Sequence, residues 1–300
     1  MKEINWNSFD GSVRKLLIWE DVPGEAKGVL QIIHGMAEHA GRYGDFAAFL
    51  NRNGFYVAAA EQRAHKGAAV KGYESGNIFE DTVKDNLALT SFLKSKYDLP
   101  VSVLGHSYGS MIAQGYIENN PPVSRVVLSG SAARTDFSAK AGYYLARAQR
   151  SLLGGRKTAK LIGKLTFGAF DKPFKNENQR FAWVSRDKAQ VEKYLADPFC
   201  GYDMSINFQA SFMTGLRNII KDENVAKIRK DLPILIASGS KDPIGGNNGK
   251  LVQKLWGIYL EHGLKNVKFK LYKDARHEIL NESNRGEVYA DILNFLEDKE

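Results

Sequence analysis

The sequence predicts an α/β fold, a mostly parallel eight-stranded sheet flanked by helices, and three observations carry that prediction. Short apolar, β-branched stretches alternate with helix-length amphipathic stretches through the first 130 residues, and the alternation returns after residue 232. A glycine-rich turn, Gly105–Gly109, stands between one such strand and one such helix. Residues 132–206 break the rhythm, with helix-like stretches and no confident strand. Strands that alternate with helices imply right-handed crossovers and parallel pairing.

In chain order, Ile4–Phe9 and Val13–Trp19 flank the turn pair Asp10-Gly11 and predict a hairpin. Gly28–Ile33 and Phe55–Ala60 read as buried strands. Between them Tyr43–Asn53 spaces Phe46, Phe49 and Leu50 as a helix does and stops at Gly54. Val83–Tyr97 reads as a helix, Val101–Leu104 as a strand, Ser110–Glu118 as a helix and Val123–Leu128 as the sixth strand. Helices are expected at Ala139–Leu153, Lys157–Phe170 and Asp187–Leu195. Pro233–Ser238 and Val267–Tyr272 are the last strands, each followed by a helix, near Gly249–His262 and at Glu287–Leu296. The expected organisation is a core of residues 1–131 and 207–300 with a helical cap, 132–206, inserted after the sixth strand.

Composition narrows the function classes. A hydrophobic fraction of 43% and a charged fraction of 25% are those of a soluble globular protein with a sizeable core. No apolar run reaches the ~20 residues of a membrane span. The first residues show no signal-peptide pattern, so a cytoplasmic protein is expected. The single cysteine, Cys200, excludes an internal disulfide and gives no metal pattern. Residues 1–130 hold 13 Lys+Arg against 14 Asp+Glu, residues 131–215 hold 14 against 7, and residues 216–300 hold 15 against 13. Nearly all the net charge of +8 therefore lies in the inserted segment. No nucleic-acid motif accompanies it, so nucleic-acid binding is not expected.

The chemistry is written at Gly105-His106-Ser107-Tyr108-Gly109. Strand, G-x-S-x-G and helix together form the nucleophile elbow of an α/β-hydrolase, which pushes a serine out at the tip of the sheet. A serine hydroxyl needs a base within hydrogen-bond reach and an acid to orient that base. In this fold they follow in the order Ser, Asp/Glu, His, each beyond the end of a strand. Asp242 follows the strand 233–238, and His277 follows the strand 267–272. Asp136, beyond the sixth strand, and Asp274 are the other acid candidates. His106 is locked in the elbow, His262 lies on an outer helix, and His65 sits in a loop with a structural role. The oxyanion donors expected of the fold are the backbone N–H groups of Tyr108, after the nucleophile, and of Met36, in the loop after the third strand. No metal or organic cofactor is implied.

The segment His34-Gly35-Met36-Ala37-Glu38-His39-Ala40-Gly41-Arg42-Tyr43 resembles the H-G-x-x-E-H-x-x-R-Y segment of the monoacylglycerol lipase and lysophospholipase group, which belongs to the serine-aminopeptidase-like α/β-hydrolases. Gly239-Ser240-Lys241-Asp242 and Arg276-His277-Glu278 resemble its acid and base segments, and the likeness is weakest through 132–206. The resemblance implies hydrolysis of an acyl ester, a monoacylglycerol or lysophospholipid, through an acyl-enzyme. A serine aminopeptidase, a short-chain esterase or a thioesterase of the same fold are its alternatives, and a non-catalytic binding protein is a remote one. The resemblance also implies that Glu38 and Arg42 position the polar end of a substrate; an i,i+4 salt bridge at a helix start is the other reading. Where relatives carry Asp-x-x-Gly-His-Gly, this chain reads Glu61-Gln62-Arg63-Ala64-His65-Lys66-Gly67. In the cap, Leu161 and Leu165 are expected on one helical face, with Lys157, Lys160 and Lys164 on another. That basic face either approaches an anionic membrane or is a solvated outer face over an apolar lining.

Overall fold

The computed structural model describes residues 1–133 and 137–299, with the side chains of 137, 138 and 164–167 left aside. One sheet of eight strands runs through the molecule in the order β1-β2-β4-β3-β5-β6-β7-β8. β1 (Lys2–Asn7) and β2 (Val13–Trp19) form the expected hairpin, and β2 pairs antiparallel with β4 (Phe55–Ala60). β3 (Gly28–Ile33), β4, β5 (Val101–His106), β6 (Val126–Ser129), β7 (Ile234–Gly239) and β8 (Val267–Tyr272) are parallel. Strands β3, β5, β6 and β7 are buried along their whole length, as parallel strands covered on both faces must be.

Helices cover both faces. α1 (Gly44–Arg52) lies on one face with the C-terminal α10 (Arg285–Leu296), where Phe46, Leu50, Val288 and Ile292 join Leu30, Ile32 and Leu104 in one apolar cluster. α2 (Ile78–Tyr97) and α3 (Tyr108–Ile117) lie on the other face, with Leu89, Leu93, Ile112 and Tyr116 against Val103 and Leu128. α2 begins five residues before the predicted start, and its N-terminal Ile78 and Phe79 are buried. The sixth strand is shorter than predicted and starts at Val126.

Between β6 and β7 the chain forms α4 (Phe137–Leu153), α5 (Lys160–Asp171), α6 (Lys188–Ala196), α7 (Ile206–Asn218) and the single turn α8 (Asp222–Val225), with no strand among the described residues. α9 (Lys250–Glu261) then bridges β7 and β8. α4 packs on α7, and α7 packs in turn on α2 and α3, so the inserted helices join the core on the side that α2 and α3 cover. The facing of α5 departs from expectation. Leu161 is 51% exposed and Ile162 is 3% exposed, so Ile162 turns inward with Ala146 and Ala210. Leu165 and Lys164 lie outside the described side chains.

Candidate active site

Every residue singled out for chemistry follows the C-terminal end of a parallel strand, where open α/β sheets hold their ligands. Ser107 follows β5 and adopts φ 54 and ψ −119, a conformation that non-glycine residues avoid. The turn is held because Ser107 N–H donates to Ser129 O at 2.9 Å while Ser110 N–H bonds back to Ser107 O. Both flanking glycines are sterically required. A Cβ on Gly105 would lie 2.4 Å from Gly109 O, and one on Gly109 would lie 2.0 Å from Ile33 O in the neighbouring strand. The sharpness of the elbow is thus a packing constraint between β3, β5 and α3.

His277 and Asp242 meet beyond β8 and β7, with His277 Nδ1 2.8 Å from Asp242 Oδ2. Asp242 also accepts from Ser238 Oγ at 3.1 Å and from the Ile244 N–H at 2.8 Å. Burial raises the carboxyl's pKa, but the imidazole and these donors outweigh it, and the net direction is down. For His277 burial pulls the pKa down and the Asp242 carboxylate more than restores it, so the net direction is up. The His277 ring lies between His106 and Trp183, with both ring centroids 4.9 Å away. His106 is buried and held neutral, its pKa pushed down to about 4, and its Nδ1 lies 3.2 Å from Ser129 Oγ. Asp274 donates its N–H to Ser240 Oγ in a turn with φ 58, and Asp136 lies outside the described residues.

Ser107, His277, Met36 and Tyr108 line one cavity of about 500 Å³. Tyr108 is the first residue of α3, whose N-terminal N–H groups have no intrahelical partner. Met36 sits in a loop pinned on either side, since the Gly35 N–H donates to Glu38 Oε1 and the Ala37 N–H donates to His65 Nε2 at 3.1 Å. His65 can accept that bond because burial pushes its pKa down to about 3 and its Nδ1–H faces Arg63 O at 2.8 Å. The divergent loop Glu61–Gly67 therefore supports the Met36 loop through His65. In the same loop Glu61 is buried, its pKa pushed up to about 8, and Arg63 is held by Asp85, Asp10 and Glu74.

Glu38 and Arg42 form the i,i+4 pair at 2.5 Å, but Arg42 also holds Glu278 through two bonds, Nη1–Oε1 at 2.6 Å and Nη2–Oε2 at 2.7 Å. Glu38 and Glu278 line the cavity, whereas Arg42 stands behind them under the Tyr194 ring. Arg42 thus reaches a substrate only through these carboxylates. Glu278 was not among the residues the sequence singled out for substrate; its signal was its place next to His277. The rest of the cavity is apolar, with Met111, Leu145, Ile162, Phe212, Met213 and Leu216 from α3, α4, α5 and α7.

His39, Asp197 and Cys200 gather three ligand-type atoms within 4.8 Å of one another beside this region. They do not fit a metal. The Gly41 N–H donates to His39 Nδ1 at 3.2 Å, which puts the imidazole proton on Nε2, where it bonds Asp197 at 2.8 Å. The nitrogen nearest the other donors is therefore already protonated.

A mostly parallel sheet, a strained serine at its switch between strand and helix, and a buried His–Asp pair whose histidine lines the same cavity as the serine are the frame of an α/β-hydrolase. The serine aminopeptidase, S33, family model matches residues 24–284, and the chain belongs to that family. It is 28% identical to a monoacylglycerol lipase of Mycolicibacterium smegmatis over 91% of this chain and 89% of the relative. Among solved structures, a thermostable carboxyl esterase of Bacillus coagulans in complex with glycerol superimposes with a TM-score of 0.89 at 27% identity, over 99% of this chain and 98% of that one. A lipase in an open form gives 0.88 at 26% identity, again over 99% and 98%. The chain is a carboxylic ester hydrolase. Among the described residues no helix is long and apolar enough to cross a membrane.

Proposed function

We propose that this ester hydrolase cleaves monoacylglycerols through an acyl-enzyme on Ser107, with Asp242 and His277 as its partners. The reading is carried by one juxtaposition: Ser107 and His277 line one cavity together with apolar side chains of α3, α4, α5 and α7, taken here as the acyl arm, and with two carboxylates, Glu38 and Glu278. An acyl chain fits the arm and a glycerol head fits the acceptors. Ser107 Oγ attacks the ester carbonyl as His277 Nε2 takes its proton. The Met36 and Tyr108 N–H groups hold the oxyanion. His277 then protonates the leaving glycerol oxygen, and water, deprotonated by the same nitrogen, releases the fatty acid and restores Ser107. Asp242 holds the imidazolium throughout.

Residues 132–206 act as a lid, and the enzyme works in the cytoplasm against an anionic membrane surface. Supporting this, Lys140, Arg147, Arg150, Lys157 and Lys160 are exposed on the inserted segment beside Tyr144, Leu152 and Leu161, so apolar and basic groups share one outer surface. A lysophospholipid would present the same acyl ester with a charged head. The test is purified protein on acylglycerols, with Ser107→Ala alongside. Turnover of monoacylglycerol that drops at least 1,000-fold in the folded variant is expected; substantial residual turnover would sink the assignment.

A further inference from the structure

Glu38 and Glu278 are the two carboxylates on the cavity wall, and one guanidinium, that of Arg42, serves both. Its Nη1 donates to each of them and its Nη2 to Glu278 alone. The remaining partners carry no charge. Glu38 Oε1 accepts from the Gly35 N–H and from Tyr43 O–H at 2.8 Å, and Glu278 Oε2 accepts from Asn281 Nδ2 at 2.8 Å. Among the described residues that line the cavity there is no lysine or arginine. The end of the cavity formed by Glu38 and Glu278 thus sets two carboxylates against one guanidinium, and Arg42 does not itself line the cavity. A carboxylate can only accept, so a ligand group seated here must donate.

We infer that this end selects the leaving group by charge: it admits hydroxyl-bearing neutral heads or a cation and excludes anionic heads such as a glycerophosphate. The inference rests on the ester-hydrolase reading and sharpens it, because it separates neutral acylglycerols from phosphate-bearing lysolipids. It also opposes the outer surface. The basic exterior of the inserted helices draws the enzyme to anionic lipid, while the interior refuses an anionic head. The enzyme would sit on an acidic bilayer and take neutral lipid from it.

The expected size follows from one uncompensated charge. At roughly 6 Å and an effective dielectric constant of about 20, Coulomb's law gives on the order of a 100-fold change in binding. The experiment uses phenyl octanoates bearing a para acetyl, carboxylate or trimethylammonium group, each rate divided by that of its hydroxide hydrolysis. The normalised kcat/KM for the carboxylate is expected at least 30-fold below the acetyl ester, with the trimethylammonium ester equal to it or faster. Glu278→Gln, which keeps an acceptor for Arg42, is expected to shrink the carboxylate deficit about tenfold. A wild-type deficit under threefold overturns the inference, as does an unchanged deficit in a variant that melts like wild type. Because the wild-type ordering decides by itself, a misfolded variant does not rescue the idea. Octanoylglycerol is assayed in parallel: if it is not cleaved while the aryl ordering holds, the glycerol assignment fails and the charge selection stands.

Discussion

The size of the cavity makes a quantitative statement about acyl chain length. With about 500 Å³ available and roughly 30 Å³ per liquid-packed unit, it holds on the order of 16 heavy atoms. Octanoylglycerol, with about 15 heavy atoms, fills it on the same roughly 30 Å³ measure. Each methylene moved from water to the apolar arm contributes about 0.8 kcal/mol, or roughly a fourfold gain in kcat/KM at 1.36 kcal/mol per tenfold. From butanoyl to octanoyl the ceiling is therefore roughly 200-fold, after which the rise flattens as further carbons leave through the mouth. The perturbation that tests the location is Gly142→Phe. Gly142 lines the arm from α4, and its added Cβ would stand 3.4 Å from Met213 Sδ, so a small side chain fits and a large one enters the cavity. An aromatic ring there removes room for about seven heavy atoms at that roughly 30 Å³ per unit, and the optimum moves to butanoyl or shorter. The assay is kcat/KM on monoacylglycerols from acetyl to dodecanoyl, each kept below its critical micelle concentration. A wild-type series flat between butanoyl and octanoyl, or a variant that keeps the wild-type ratio, refutes the arm as the acyl site.

Asp242→Asn removes the charge that lifts the His277 pKa. Turnover is expected to fall by about 10⁴. Because activity needs neutral His277 and fails as pH drops through its pKa, the residual activity persists to lower pH than in wild type. An acid limb that does not move in the pH profile would contradict the pairing. Arg63→Met leaves Asp85 and Asp10 without their guanidinium and Glu74 with Arg14 alone, at a cost of about 3–5 kcal/mol read from urea unfolding, and adding Asp85→Asn recovers part of it; a loss below about 1 kcal/mol would show that the network is ornamental. Arg276→Gln cuts the bonds to Glu177, Ala182 O and Ser185 O. At about 1.5–3 kcal/mol for a charged hydrogen bond, trypsin cleavage after Arg180 or Arg186 is expected at least tenfold faster; unchanged cleavage would mean the strap carries no load.

The sheet was legible because its signal is local. Fully buried parallel strands are continuous apolar runs, and Gly28–Ile33 or Ile234–Gly239 need no context to be read. The elbow was legible too, because a steric demand set partly by Ile33 in the neighbouring strand falls on two glycines that bracket the serine within one turn. The predicted facing of α5 missed because Leu161 and Ile162 are adjacent and equally apolar. Only the position of α4 and α7 decides which of them is covered. Glu278 was missed for a related reason. Its partner Arg42 lies 236 residues away, and no spacing along the chain announces that one guanidinium would be shared. What His65 does for Ala37 was likewise hidden, because a structural histidine is visible as a type and its target is set by the fold.

The loop that carries His277 belongs as much to the insertion as to the core. His277 N–H donates to Trp183 O at 3.3 Å and Glu278 N–H donates to Val184 O at 2.8 Å. Arg276 reaches back to Ala182 O at 2.6 Å and lies 4.2 Å from the centre of the Phe174 ring. Glu282 receives both the Arg276 N–H and the Arg186 side chain. The stretch 174–186 is therefore fastened to the base, and a hinge placed there would displace the base with it. α4 and the exposed start of α5 carry no comparable ties to the base loop among the described residues. They also hold the exposed Tyr144, Leu152 and Leu161 and the outward basic residues. Within the proposed lid, 174–186 is thus the part tied to the base, and the end of α5 is tied to it in turn, with the Phe170 ring 5.0 Å from Trp183 and Asp171 accepting the Phe181 N–H at 3.2 Å. Of the proposed lid's helices, α4 is then the one whose movement would leave the Asp242–His277 pair undisturbed.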